Sequence, residues 1–114
     1  MQDFTKAVLL RLFIGESNSY DGHPLYEAIV LKARELGIAG ATVLRGPMGY
    51  GRSSRLHTTK ILRLSDDLPL IIEIVDTRDK IDLLLKETEA MLGSCLVTLE
   101  TVQVVRYGHD AGLD

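Results

Sequence analysis

Residues 45–52 read RGPMGYGR, with Arg45 and Arg52 bracketing Gly46, Gly49 and Gly51. Arginine carries a permanent charge on a planar fork of donors that matches phosphate or carboxylate oxygens. Glycine accepts positive φ and lets another group come close to the backbone, so the three glycines have the character to turn successive N–H groups toward an anion. The same pattern suits a connection that needs glycine only to turn. It is not a P-loop, because no Lys-Ser/Thr pair follows the last glycine, and its spacing differs from the GxGxxG dinucleotide fingerprint.

The distribution of charge bears on that choice. No Asp or Glu occurs between residues 36 and 65, a window that holds Arg45, Arg52, Arg55, Lys60 and Arg63. Residues 66–114 hold eleven acidic residues against four basic ones, and the whole chain has a net charge of −3. A locally positive loop on an acidic body suits a phosphate-bearing ligand or an acidic protein surface, although a charge run is often only a solvated face. The acidic balance argues against nucleic acid as a partner. So do the aromatics, since only Phe13 of the six falls in a core strand, too few rings for a base-stacking sheet face.

Catalytic and metal-binding patterns are weak. His23, His57 and His109 stand far apart and Cys95 is the sole cysteine, so no internal disulfide forms and no metal-ligand spacing emerges. His57 with Asp66 and Asp67 is conceivable as a base with partners, but a lone loop histidine is more often a solvated or hydrogen-bonding residue. The chain therefore reads as a non-enzyme. Its length fits one domain, residues 1–114, and the start lacks the features of a signal peptide. Apolar runs of only a few residues predict a cytoplasmic protein with no direct membrane insertion.

Residues 7–14 (AVLLRLFI) read as a first strand with both alternate sets mostly apolar, and residues 15–22 as a polar turn. Pro24 suits the first turn of a helix that runs to Leu36 with Leu25, Ala28, Ile29, Ala33 and Leu36 as its apolar stripe, and Gly37 caps it. A second strand covers residues 41–45, and the long loop occupies about 46–65, with a short extension at 61–64 that Asp66, Asp67 and Pro69 break. Residues 70–75 (LIIEIV) form the third strand. Asp76 or Thr77 caps a second helix that buries Ile81, Leu84, Leu85, Thr88 and Met91 and ends at Gly93. The last strand spans 95–107, and its apolar phase shifts from Val97 and Leu99 to Val102 and Val104, which predicts a bulge or bend near Glu100. Residues 108–114 read as a flexible tail.

This order predicts an α+β fold, the ferredoxin-like split βαβ sandwich (βαββαβ), with a four-stranded antiparallel sheet and two helices on one face. Apolar residues in both alternate sets of the first, third and last strands would leave a large patch on the other face, so burial against further copies of the chain is expected.

GESNSYDGHPLYEAIV, GIAGATVLRGPMGYGRSSRLHTTKILRLS, DLPLIIEIVD and the closing VQVVRY, in this order, resemble the PII-like signalling proteins, in particular a small uncharacterised branch of that superfamily. The resemblance runs from about Val8 to Tyr107 and implies a homotrimer with an adenine nucleotide in clefts between subunits. It also implies a mobile loop, carrying Arg55, His57 and Lys60, that contacts a regulated partner protein, a membrane transporter being one candidate class. Carried across, the nucleotide contacts are Thr42, Arg45, Gly46, Gly49, Tyr50, Gly51 and Arg52. Tyr50 stacks on a base, covers the site or anchors the loop, and Arg45 faces the phosphates or pairs with a carboxylate in the sheet.

The sequence departs from the PII proteins proper after the third and fourth strands, where it reads DTRDKID and RYGHDAG. Arg78, Lys80 and Arg106 are the basic candidates left for a second wall, and the first two also read as exposed first-turn helix residues. The implied ligand is therefore AMP or ADP rather than ATP with magnesium, with no required cofactor and no metal. Two other readings stay open: an oligomeric interaction scaffold without a small ligand, and a divalent-cation-binding trimer.

Overall fold

The computed structural model describes residues 5–49, 57–58 and 68–106. Strand β1 (Thr5–Gly15) runs through the middle of a four-stranded sheet. On one side it pairs with β7 (Pro69–Asp76), which in turn pairs with β4 (Thr42–Arg45), and on the other with β8 (Leu96–Val104); all three pairings are antiparallel. Helix α1 (Leu25–Glu35) links β1 to β4, and α2 (Arg78–Leu92) links β7 to β8. This is the ferredoxin-like sandwich expected from the pattern. Two short hairpins were not expected: β2 (Ser19–Tyr20) with β3 (His23–Pro24), and β5 (Met48–Gly49) with β6 (His57–Thr58) inside the long loop.

Side chains on a strand alternate between faces, so register fixes which residues share one. Val8, Leu10, Leu12 and Ile14 of β1 lie level with Asp76, Ile74, Ile72 and Leu70 of β7. These apolar side chains cluster with Leu25, Ile29 and Ala33 of α1 and Ile81 and Leu84 of α2, so both helices cover the same face. Leu10, Ile29, Ile72, Ile81 and Leu84 are fully buried, and each contributes roughly 1.5–3 kcal/mol by leaving water.

The other face carries Leu9, Phe13, Ile71 and Val75, half-buried, with Leu44 and Leu96 exposed at the ends of one cross-strand row. Arg11 sits among them and donates from Nε to Glu73 at 2.9 Å and from Nη1 to Glu100 at 3.2 Å. The hydrogen bond to Glu73 raises the Arg11 pKa above its ordinary value, with the nearby Glu100 charge acting in the same sense. Val102 and Val104 belong to this second face, where Val102 lies level with Ala7 and Val104 with Thr5.

That placement corrects the expected bulge. The β1–β8 register is unbroken from Thr5↔Val104 to Phe13↔Leu96, and the apolar phase shift along β8 marks a change of face, not an extra residue. Pro24 is likewise the N-cap of α1 rather than its first helical residue, because the β2–β3 hairpin delivers the chain there. Asp21 and Gly22 turn that hairpin with φ of 53° and 81°, a conformation that Gly adopts at no steric cost and Asp tolerates. Pro69 opens β7 instead of preceding it, as proline can at the first residue of a strand. The extension at 61–64 and the tail at 108–114 lie outside the described residues.

Both helix ends bear on the loop. Thr77 caps α2, its side chain accepting from Lys80 N at 3.3 Å, and Asp76 is fully buried just before it. The Asp76 carboxylate accepts from Thr77 N at 2.7 Å and from Ala39 N at 2.8 Å, while Lys80 Nζ donates to Gly37 O at 2.9 Å. The turn between α1 and β4 is thereby fastened to the start of α2, which fixes where β4 begins. An orphaned buried donor costs about 1–3 kcal/mol, so Asp76→Ala should lower the urea-unfolding free energy by about 2–4 kcal/mol and Asp76→Asn, which keeps one acceptor, by less. Equal stability of Asp76→Ala and the wild type would contradict the clamp.

Candidate functional site

Strand β4 is the edge of the sheet, and its last residue, Arg45, delivers the chain into the glycine loop. The two ends of that loop meet at once, since Gly46 N donates to Pro69 O at 2.8 Å. A Cβ on Gly46 would stand 3.1 Å from Pro69 Cγ, and one on Gly49 3.2 Å from the same atom. Neither glycine has positive φ. Glycine is used here because the proline ring packs against the departing chain: of the two uses of glycine expected from the sequence, the structure shows close approach to the backbone and not positive φ. The Gly46 amide is already paired with a carbonyl, so the expected row of anion-facing amides loses its first member.

Arg45 pairs through Nη2 with the Glu16 carboxylate. Of the two partners left open by the sequence it has a carboxylate, though from the turn after β1 and not from the sheet. The Glu16 amide also donates to Leu68 O at 2.8 Å. One residue thus touches both the departing and the returning end of the loop. Glu16 belongs to GESNSYDG, which reads as a plain polar turn; the sequence holds no local signal for a contact across 29 residues.

The remaining candidates divide by position. Thr42 is exposed and lies level with Glu73, itself level with Arg11, so it faces the side away from the helices. Arg45, three residues on, projects to the opposite face. Thr42 and Arg45 therefore do not converge within one chain, whereas Arg45, Gly46 and Gly49 gather around Pro69 and Glu16. The backbone of His57 lies opposite Gly49 in the β5–β6 hairpin. Tyr50, Gly51, Arg52, Arg55 and Lys60 lie outside the described residues.

Arg78 and Lys80, the candidates for a second basic wall, have other partners: Arg78 Nε donates to Asp82 at 3.0 Å and Lys80 reaches Gly37 O. Cys95 is half-buried, and burial pushes its thiol pKa up, which disfavours the reactive thiolate. Among the described residues no His, Cys, Asp and Glu cluster could hold a metal ion, and no helix is long and apolar enough to cross a membrane. A surface groove of ≈ 430 Å³ lies beside Cys95 and another of ≈ 220 Å³ beside Arg34, both away from the loop base.

The DUF190 family, described as an uncharacterized ACR, matches residues 7–104. A UPF0166 protein of Aquifex aeolicus is 38% identical over 100 residues, covering 88% of this chain and 94% of the relative. Among solved structures, CPII from Thiomonas intermedia K12, a nitrogen regulatory PII-like protein bound to ADP, AMP and bicarbonate, superposes with a TM-score of 0.69. The two share 17% identity, covering 93% of this chain and 94% of that one. GlnK of B. subtilis in complex with ATP gives a TM-score of 0.55 at 14% identity, with 85% and 82% covered. At these identities the two structures show that the fold is PII-like.

The packing of Pro69 against the glycines can be tested on its own. Gly46→Val should lower stability by about 1–2 kcal/mol through overpacking, and adding Pro69→Ala should recover at least half of that loss in urea unfolding. Simple additivity of the two changes would mean that the ring does not set the choice of glycine.

Proposed function

The chain belongs to the DUF190 family, and we propose that it works as a non-enzymatic PII-like regulator, taking AMP or ADP at the base of the loop after β4. The observation that carries this reading is the loop root itself. Arg45 stands where β4 enters the long loop, whose two ends are stapled by the Gly46–Pro69 hydrogen bond, on a fold shared with a protein crystallised with ADP and AMP. In this reading the Arg45 and Arg52 guanidinium groups and the amides beyond Gly46 take phosphate oxygens, and Tyr50 covers or stacks on the base.

One chain supplies only part of such a berth, since Thr42 and Arg45 face opposite ways. A neighbouring copy supplies the other wall. The half-apolar sheet face with Leu9, Phe13, Ile71 and Val75 gives the copies a surface on which to meet, and a homotrimer is the assembly that the resemblance implies. Nucleotide then biases the loop between states, and Arg55, His57 and Lys60 meet or release a regulated protein. A ligand can shift that balance only by binding one loop state better than the other. A diphosphate suits the site better than a triphosphate because Arg78 and Lys80 are engaged elsewhere.

A ligand that binds the folded state alone stabilises it by mass action, by about 2.7 kcal/mol at a hundred times its Kd. Melting curves with AMP, ADP, ATP and cyclic AMP should therefore rise for AMP or ADP, and calorimetric titration should give the same order. Replacing Gly49 and Arg52 together should abolish the shift while light scattering still reports a trimer. Unchanged melting with all four nucleotides would remove the sensor reading and leave a ligand-free scaffold.

A further inference from the structure

Glu16 does more at the loop base than fill a turn. Its position is set by a closed set of local bonds: Gly15 N donates to Asn18 Oδ1 at 2.8 Å, Asn18 N to Gly15 O at 3.1 Å and Leu25 N to Asn18 O at 2.8 Å. Its own amide is held by Leu68 O at 2.8 Å. The carboxylate is thus presented by a rigid turn and is largely shielded, with its side chain 20% exposed, whereas the Arg45 side chain is 59% exposed on an edge strand. The anion is fixed and the cation is the part free to swing.

We propose that the Glu16 carboxylate is a built-in competitor for the anionic group of the ligand, occupying Arg45 until a phosphate takes its place. The proposal rests on the reading of the loop base as a nucleotide site, and it assigns that site a resting state. The chemistry is an exchange of one charge-assisted pair for another. A phosphate offers more acceptor oxygens and more charge than a carboxylate, so it can take the guanidinium in a bidentate grip. An exposed ion pair biases an equilibrium by less than about tenfold, which is weak enough to be displaced and strong enough to be felt. The exchange releases the departing end of the loop from the turn after β1, while the Glu16 amide keeps the returning end and the Gly46–Pro69 staple keeps the sheet.

Calorimetric titration of ADP into the wild type, Glu16→Gln and Asp21→Asn tests this, the last removing one negative charge from the neighbouring β2–β3 turn, outside the Arg45 pair. Glu16→Gln should bind ADP about three- to fivefold more tightly than the wild type, and Asp21→Asn within about 1.5-fold of it. Should Glu16→Gln fold poorly by circular dichroism, Glu16→Ala, which removes the carboxylate and keeps the backbone amide bonded to Leu68 O, replaces it with the same expectation. Wild-type binding with no gain in the Glu16 variant, or an equal gain in Asp21→Asn, overturns the competitor and leaves the nucleotide site standing. Absence of ADP binding by all the proteins overturns both.

Discussion

The structure depends on β1 being apolar on both sides while paired along both edges. A strand so placed meets water on one face alone: β7 and β8 take its hydrogen bonds, the helices cover one face, and the other face is left half-buried. Because side chains alternate with a period of two, the unbroken register dictates every neighbour's face in turn. It puts Ile72 and Ile74 inside, and it puts Ile71, Val75, Val102 and Val104 on the face that the helices do not reach. Arg11 lies in the middle of that second face and is tolerable there because Glu73 and Glu100 take its donors. The surplus of carboxylate around one guanidinium gives this face a polar centre within an apolar rim.

The loop base inherits its geometry from the same sheet. Strand β4 is short and sits at the edge, so little holds its end except the pairing with β7 and the bonds around residues 45–46. Asp76 and Lys80 hold its beginning, and the Gly46–Pro69 bond with the Glu16 contacts hold its end. A four-residue strand clamped at both ends is a stiff platform for a loop that leaves it.

Much of this was legible in the residues. The doubly apolar run of β1, the stripe of Leu25, Ile29 and Ala33, and the capped helix at Thr77 each follow from local periodicity and end signals, which need no tertiary knowledge. What failed to show needed partners far along the chain. The phase shift of β8 has two physical causes, an inserted residue or a second buried face, and only the register separates them. Pro69 looks like a breaker because proline lacks a donor, yet the first position of β7 asks only for its carbonyl. Glycines 46 and 49 admit both positive φ and the close approach of another group, and nothing local names the Pro69 ring as the group that comes close. Glu16 carries no motif at all; its importance is its position between Leu68 and Arg45.

Photolabelling with an azido-substituted ADP, followed by tryptic mapping, addresses the central claim most directly, since cleavage after Arg45 and Arg52 isolates the loop base as peptide 46–52. The account predicts label on that peptide, suppressed by excess ADP. Label confined to α2 or β8, or label that excess ADP leaves unchanged, would contradict it.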